Sequence, residues 1–235
     1  MMASSSRGSR SIAFMPAAIA LVACFAVADG CRHQGTPVAA VPDSFVVALE
    51  TSRGRAEVMV RKHWSPLGAA RFFDLVNEKH FDGARFFRVL PNYIAQFGLS
   101  GDPVVDKAWR GRDIDDEPVK HTNSHGTLTF ASAGPGTRSS QFFFNLKDNA
   151  PLDAMNGGYP PFGEVISGLP AIDSLYSGYG DATPKSGTQL GKEGPVQDSI
   201  IAQGNAYLER GYPKLDYIKT ARIMQQWPAT GATAP

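Results

Sequence analysis

Gly134–Asn145 reads GPGTRSSQFFFN: a loop of Gly, Pro, Thr and Ser runs straight into three consecutive phenylalanines bracketed by two amides. Three adjacent Phe residues fit a strand with apolar surroundings on both faces, because side chains alternate sides along a strand. Gln141 and Asn145 do not fit uniform burial, since a buried carboxamide costs free energy unless it is hydrogen-bonded. With a period of 2, Gln141, Phe143 and Asn145 share one face, and Phe142 and Phe144 point to the other. Phe142 and Phe144 are therefore expected to face a core, which leaves Phe143 and the two amides on a face of another kind.

The flanking sequence supplies partners for such a strand. Ser44–Val60 reads as a hairpin, with FVVALET and AEVMV joined by the turn SRGR. SPLGAARFFDLVNEKHFDG predicts an amphipathic helix. Pro66 is tolerated in its first turn, Ala69, Phe72, Phe73 and Val76 keep i, i+3, i+4, i+7 spacing, and Gly83 follows its end. ARFFRVLP and YIAQFG then read as short strands, followed by a polar loop over Leu99–Asn123 and the strands GTLTFA, SQFFFNL and FGEVI. Pro170–Tyr176 reads as a second short helix, Gln197–Arg210 as helical by propensity, and DYIKTARIM as a closing strand. Many short strands with a few helices predict a mainly antiparallel barrel or sandwich with helices at its ends.

Of the 235 residues, 43% are hydrophobic and 19% charged, as in ordinary globular proteins. Residues 1–28 read as an export leader: Arg7 and Arg10 precede an almost unbroken apolar run, Ile12–Val27, short for a membrane span. Leu21-Val22-Ala23-Cys24 resembles a bacterial lipobox, which would lipidate Cys24 and attach the protein to a membrane. Ala26-Val27-Ala28 also fits ordinary signal cleavage, the second reading, and an uncleaved anchor is the third. All three place the domain outside the cytoplasm. Residues 29–42 are expected to be a linker, 43–225 the folded domain and 226–235 a flexible tail. Cys24 and Cys31 are the two cysteines of the sequence, so the domain carries no disulfide or cysteine nucleophile. Loss of Arg7 and Arg10 leaves 21 cations against 22 acids, a net charge of −1. That balance argues against a nucleic-acid partner.

Three blocks then stand in order: FFRVLPNYIAQFGLSGDP from Phe86, GTLTFASAGPGTRSSQFFFN from Gly126, and LDAMNGGYPPFGEVISG from Leu152. In order, spacing and wording they resemble the cyclophilin family of peptidyl-prolyl cis–trans isomerases, over about Ser44–Tyr176. The resemblance implies an eight-stranded antiparallel barrel capped by two helices, here with a C-terminal helical extension, and a peptide groove on the outer face. It places Arg88 as the essential arginine, Tyr93, Ile94 and Gln96 in the groove, and Ser132 beside Ala133 as a source of backbone hydrogen bonds. Gln141, Phe143 and Leu152 complete the match, and Tyr159 is the nearest candidate for a groove position that many members fill with His. The sequence departs from the pattern at Phe87 (often His), at Phe97 (often Gly), at Pro151 (near a frequent Trp) and in the glycine- and proline-rich stretch from Ser177 to Pro195.

The residue types suit the reaction. Rotation about an X–Pro bond faces a barrier of about 18–20 kcal/mol and requires no nucleophile, metal or cofactor. The bond is held planar by donation of the prolyl nitrogen lone pair into the carbonyl. A donor aimed at that nitrogen favours the twisted state, and a guanidinium, always charged and rigid, suits this role. Arg88 would donate, Gln96 and the Ser132 backbone would grip the peptide, and Ile94, Phe143 and Leu152 would receive the pyrrolidine ring. The expected partners are proline-containing segments of unfolded or partly folded proteins, bound by a monomer.

Weaker signals read as structure. His121 and His125 have a helical metal-pair spacing but lie in a loop bounded by Pro, Asn and Gly, so they read as surface histidines. The acidic run Asp113, Asp115, Asp116 and Glu117 reads as a solvated loop. Two rival functions remain: a catalytically weak peptide-binding or chaperone module on the same fold, favoured by Phe87, Phe97 and the altered last block, and a barrel holding a small ligand inside.

Overall fold

The computed structural model describes residues 41–181 and 194–228. The leader with Cys24, nearly all of the linker, residues 182–193 and the tail from 229 lie outside them. In chain order the elements are β1 (Ser44–Thr51), β2 (Gly54–Arg61), α1 (Pro66–Asn77), β3 (Arg88–Leu90), β4 (Ile94–Phe97), α2 (Pro103–Trp109), β5 (Thr127–Phe130) and β6 (Phe142–Asn145). Two short 3-10 turns, Ala150–Asp153 and Met155–Gly157, lead to β7 (Pro161–Ser167), α3 (Leu169–Asp173), α4 (Gln197–Gln203), α5 (Asn205–Gly211) and β8 (Ile218–Trp227).

The eight strands form one sheet in the order β3-β4-β6-β5-β7-β2-β1-β8, with every pairing antiparallel. Its two edges are drawn together just before β3 and β8. There Arg85 bridges Tyr217, and the Gly83 and Phe86 N–H groups donate to the Ile218 and Asp216 carbonyls at 2.8 and 2.9 Å. The result is a mainly β, barrel-like fold. Phe142 and Phe144 point inward and are fully buried, as alternation requires. Phe142 meets Phe130 at 4.4 Å between centroids, and Phe144 stacks on Phe97 at 5.6 Å. Ala69, Phe72, Phe73 and Val76 of α1 and Ile172 of α3 close over the same core. Aromatic rings fill the interior, which argues against the ligand-holding barrel.

Four features correct or refine the sequence expectations. The polar loop Leu99–Asn123 contains α2. Asp102 caps it by accepting from the Val104 N–H at 2.8 Å, and Pro103 takes the first helical position. The helix expected over Gln197–Arg210 is two helices, broken at Gly204. Gly204 has φ +62°, and a Cβ there would meet the Gly101 carbonyl at 2.2 Å. Strand β8 pairs with β1 out to Ser44↔Trp227, two residues into the stretch expected as tail. The acidic loop is solvated at Asp113 and Asp115, but Glu117 turns inward. It accepts from the Leu67 and Gly68 N–H groups at 2.8 and 3.1 Å and from the Ser65 hydroxyl, capping α1 from a distant segment. It also pairs with Arg138 at 3.3 Å, with side-chain exposures of 3% for Arg138 and 8% for Glu117.

Removing one partner of a buried pair leaves an uncompensated charge. Glu117→Leu is therefore expected to cost about 3 kcal/mol of unfolding free energy, against less than about 0.5 kcal/mol for the exposed Asp113→Ala. Urea unfolding measures both, and equal costs would refute the buried cap.

His80, 4% exposed, donates from Nε2 to the Gly98 carbonyl at 2.9 Å and packs edge-on to Phe81 and Trp109. Burial lowers its pKa, outweighing the Gly98 contact and the Asp106 charge, which pull it up. As pH falls below about 6.5, the unfolded chain takes a proton that the folded protein refuses. Stability is then lost towards the folded-state pKa, at no more than about 1.4 kcal/mol per pH unit from this group. His80→Gln keeps a donor for Gly98 and does not titrate, so its urea midpoint should fall less between pH 7.5 and 5.5 than that of the wild type. Parallel falls would remove His80 from the acid response.

Candidate active site

The register of three strands assembles the site. Arg88 on β3 stands opposite Gln96 on β4, which stands opposite Phe143 on β6, which stands opposite Thr129 on β5. Directly opposed residues share a face, so Arg88, Gln96 and Phe143 form one row on the outer surface. The next outer row is Leu90, Ile94 and Asn145. Between them the inward row runs Val89, Ala95, Phe144 and Leu128.

A groove of about 460 Å³ lies over these rows. Arg88, Tyr93, Ile94, Gln96, Ser132, Ala133, Gln141, Phe143, Leu152 and Tyr159 all line it, so the structure brings all ten expected positions together. Ile94, Phe143 and Leu152, each 5% exposed or less, form an apolar cluster of their own, with Tyr93 and Tyr159 packed against it. The Tyr159 ring meets Phe143 at 6.0 Å, edge-on, and the Tyr159 N–H donates to the Leu152 carbonyl at 3.0 Å.

Beside the apolar cluster runs a chain of polar groups. Arg88 Nη1 donates to Gln96 Oε1 at 3.2 Å, Gln96 Nε2 to Gln141 Oε1 at 2.9 Å, and Gln141 Nε2 to Gln197 Oε1 at 3.0 Å. Gln141 is thus held in the rim by two amides, one of them on α4. Asp181 Oδ2 accepts from Arg88 Nε at 2.9 Å and from Nη2 at 2.7 Å. Asp181 and Gln197 both line the groove, and the sequence reading missed them. Each sits at a margin of the glycine- and proline-rich stretch, with no periodicity to mark it.

The Gly134–Ser139 wall is set from below. The Asp116 carboxylate accepts from the Gly136 N–H at 2.8 Å, and the buried Arg138 donates to the Asp115 carbonyl. Ser132 Oγ donates to the Gly134 carbonyl at 2.7 Å, and the Ala133 N–H donates to Thr137 Oγ1 at 2.9 Å, which fixes the turn.

Asn145 acquires a role that the sequence could not supply. Fully buried, it donates to Asn123 Oδ1 at 3.0 Å and Thr127 Oγ1 at 2.8 Å, and accepts from Asn149 Nδ2 at 2.8 Å. Asn149 also donates to the Tyr93 carbonyl, and Asn123 to the Tyr159 carbonyl, both at 2.8 Å. Asn123 further donates to Asp153 Oδ1 at 2.7 Å. Burial pushes the Asp153 carboxyl up, but hydrogen bonds from Thr122 and Asn123 outweigh it and hold the pKa below its ordinary value. This network ties the segments carrying Tyr93, Leu152 and Tyr159 to the sheet.

The two loop histidines face different partners: His121 stacks on Trp64 at 3.7 Å, and His125 meets Asp173 at 2.8 Å. Among the described residues no group of three His, Cys, Asp or Glu side chains could hold a metal ion.

The family described as "Cyclophilin type peptidyl-prolyl cis-trans isomerase/CLD" matches residues 46–203. A peptidyl-prolyl cis-trans isomerase of Acinetobacter baylyi is 31% identical over 133 residues, 55% of this chain and 71% of the relative. One from Schizosaccharomyces pombe is 36% identical over 130 residues, 52% of this chain and 79% of the relative. A Cryptosporidium parvum cyclophilin shares the fold with a TM-score of 0.53 at 20% identity, covering 78% of this chain and 99% of its own. The same protein has also been solved in the presence of the dipeptide Ala-Pro. With the match running from β1 through β7 to α4, and so covering the groove, the chain belongs to the cyclophilin-type peptidyl-prolyl cis–trans isomerases.

Proposed function

We propose that the protein isomerises X–Pro bonds in exported proteins, assisting their folding outside the cytoplasm, with the groove as its active site. The observation that carries the assignment is the outer row Arg88–Gln96–Phe143 laid beside the Ile94–Phe143–Leu152 cluster. It sets a fixed cation next to an apolar seat for a pyrrolidine ring. The presence of Ala-Pro with a fold relative supports a proline peptide as the occupant.

In this mechanism the proline ring packs on Phe143, Ile94 and Leu152, which anchors one side of the bond. Gln96 and the backbone at Ser132 and Ala133 hold the flanking peptide, with Tyr93, Gln141 and Tyr159 bordering it. An N–H of Arg88 donates to the prolyl nitrogen as its lone pair leaves conjugation. The donor is strongest towards the twisted state, where the nitrogen is pyramidal and basic, and weak towards both planar states, so the barrier falls rather than the affinity rising. Gln96 holds the guanidinium from one side, so it need not reorganise during rotation.

Loss of one charged donor of this kind costs about 10²–10³ in rate. Arg88→Ala is expected to lose that much in kcat/KM, measured by NMR exchange on an Ala-Pro peptide. Arg88→Lys should fall between the two, because a point charge lacks the guanidinium fork. The reading fails if the wild type does not accelerate exchange, or if Arg88→Ala matches it.

Export and a lipid anchor rest on residues 1–28, where the apolar run and Leu21–Cys24 support them. With a monomer at the membrane surface, fatty-acid labelling in a bacterial host should mark the wild type and not Cys24→Ser. Labelling of neither would leave cleavage after Ala28 or the uncleaved anchor and overturn lipidation at Cys24.

A further inference from the structure

The reading of Arg88 as the donor to the prolyl nitrogen raises the question of what aims it. An arginine side chain is long and rich in rotamers, and its usefulness depends on where the fork points. Arg88 is on the groove surface, with 25% of its side chain exposed, and β3 beneath it is three residues long. Gln96 alone holds it through one bond, at 3.2 Å.

The remaining restraint comes from Asp181. Nε and Nη2 of Arg88 both donate to the same oxygen, Oδ2, at 2.9 and 2.7 Å. A guanidinium has five N–H donors in a rigid plane. Asp181 takes two and Gln96 takes one, which leaves, among the described residues, one N–H on each terminal nitrogen. Bonds along two edges of a planar group fix both its position and its plane, as one bond cannot. Asp181 is itself held in place: the Gly194 N–H donates to its backbone carbonyl at 2.9 Å. The pair also has an electrostatic consequence. Among the described residues that line the groove, Arg88 and Asp181 are the two charged ones, and their charges offset each other. The arginine then acts as a directed donor more than as a net charge.

We propose that Asp181 is a positioning residue for the isomerisation, holding the Arg88 guanidinium in the plane that leaves two N–H groups for the peptide. The inference rests on the assignment of Arg88 above. It differs from a tether that merely fastens the chain near Asp181 to the barrel, because a tether would act on stability and not on turnover.

The test uses the full chain and three variants. Asp181→Ala removes the accepting oxygen, whereas Asp181→Asn keeps one where both bonds converge and drops only the charge. Misplacement of a catalytic group costs up to about a hundredfold. Asp181→Ala is therefore expected to lower kcat on an Ala-Pro peptide about ten- to a hundredfold, with KM little changed. Asp181→Asn should recover most of that loss. In ¹H–¹⁵N spectra of the free protein, the Arg88 Nε–H signal, identified by its absence in Arg88→Ala, should be protected from exchange in the wild type and Asp181→Asn. It should lose that protection in Asp181→Ala. Asp181→Ala with wild-type kcat, even at a lowered Tm, overturns the proposal, as does an Asn variant no better than Ala. An inactive wild type defeats the assignment of Arg88 and the inference with it. An active wild type, an inactive Arg88→Ala and a fully active Asp181→Ala defeat the inference alone.

Discussion

Strand β6 must satisfy two environments at once, and most of the molecule is arranged around that demand. Phe142 and Phe144 enter the barrel, where Phe72, Phe81, Phe97, Phe130 and Phe162 meet them within 6 Å between centroids. Each such ring contributes about 1.5–3 kcal/mol by leaving water. Phe143, between them, faces outward and cannot share that core. It is covered by Ile94, Leu152 and Tyr159 instead, from β4 and from the turns before β7. The pyrrolidine seat is thus the necessary counterpart of a triplet whose middle member is on the wrong side of the sheet for the main core. A single alternation fixes both the fold's interior and the apolar half of the groove.

The polar half depends on hydrogen bonds that have no room for error. Asn145 is fully buried on the same outer face, and an unsatisfied amide there would cost several kcal/mol. Asn123, Thr127 and Asn149 satisfy it, and through Asn123 and Asn149 the bonds continue to the Tyr159 and Tyr93 carbonyls. Those two tyrosines and Leu152 come from irregular segments that no strand ladder holds. The amide network takes the place of a ladder, and buried polar chains are rigid when every member is satisfied. The groove can therefore be loop-built on one side without being soft.

Legibility in the sequence followed the range of the forces. Period-2 alternation and the i, i+3, i+4, i+7 stripe of α1 are local consequences of burial, so the strands, the helix and the faces of Gln96, Gln141 and Phe143 could be read directly. Periodicity could not give the closed sheet, which came from the resemblance carried by the three blocks, and the order of its strands emerged only in the structure. Helix α2 was hidden because seven residues bury only Asp106 and Trp109, too few for a stripe, although Asp102-Pro103 is a sound start signal. Glu117 looked like its exposed neighbours because its partners, Leu67, Gly68 and Arg138, are distant in sequence. Asn145 and Asp181 share that property: their meaning lies in contacts that composition and spacing do not encode.

The departure at Phe87 fits the same physics. Arg88 lies on β3, the edge of the sheet and only three residues long, a weak platform for a group that must be held still. Phe87, 2% exposed, leaves the main core and packs with Leu99, Ile200, Leu208 and Leu215, a second core built largely by α4, α5 and the approach to β8. The residue before the arginine is thus the anchor of the helical extension. The extension in turn presents Gln197 to Gln141, while Asp181 reaches Arg88 from the other margin of the same stretch. A His at position 87 would bury a polar ring in that apolar cluster and give up part of the anchorage. Phe87 and the helices packed on it therefore work as one unit. They supply from outside the barrel the rigidity that a three-residue edge strand lacks, at the point where the arginine must be aimed.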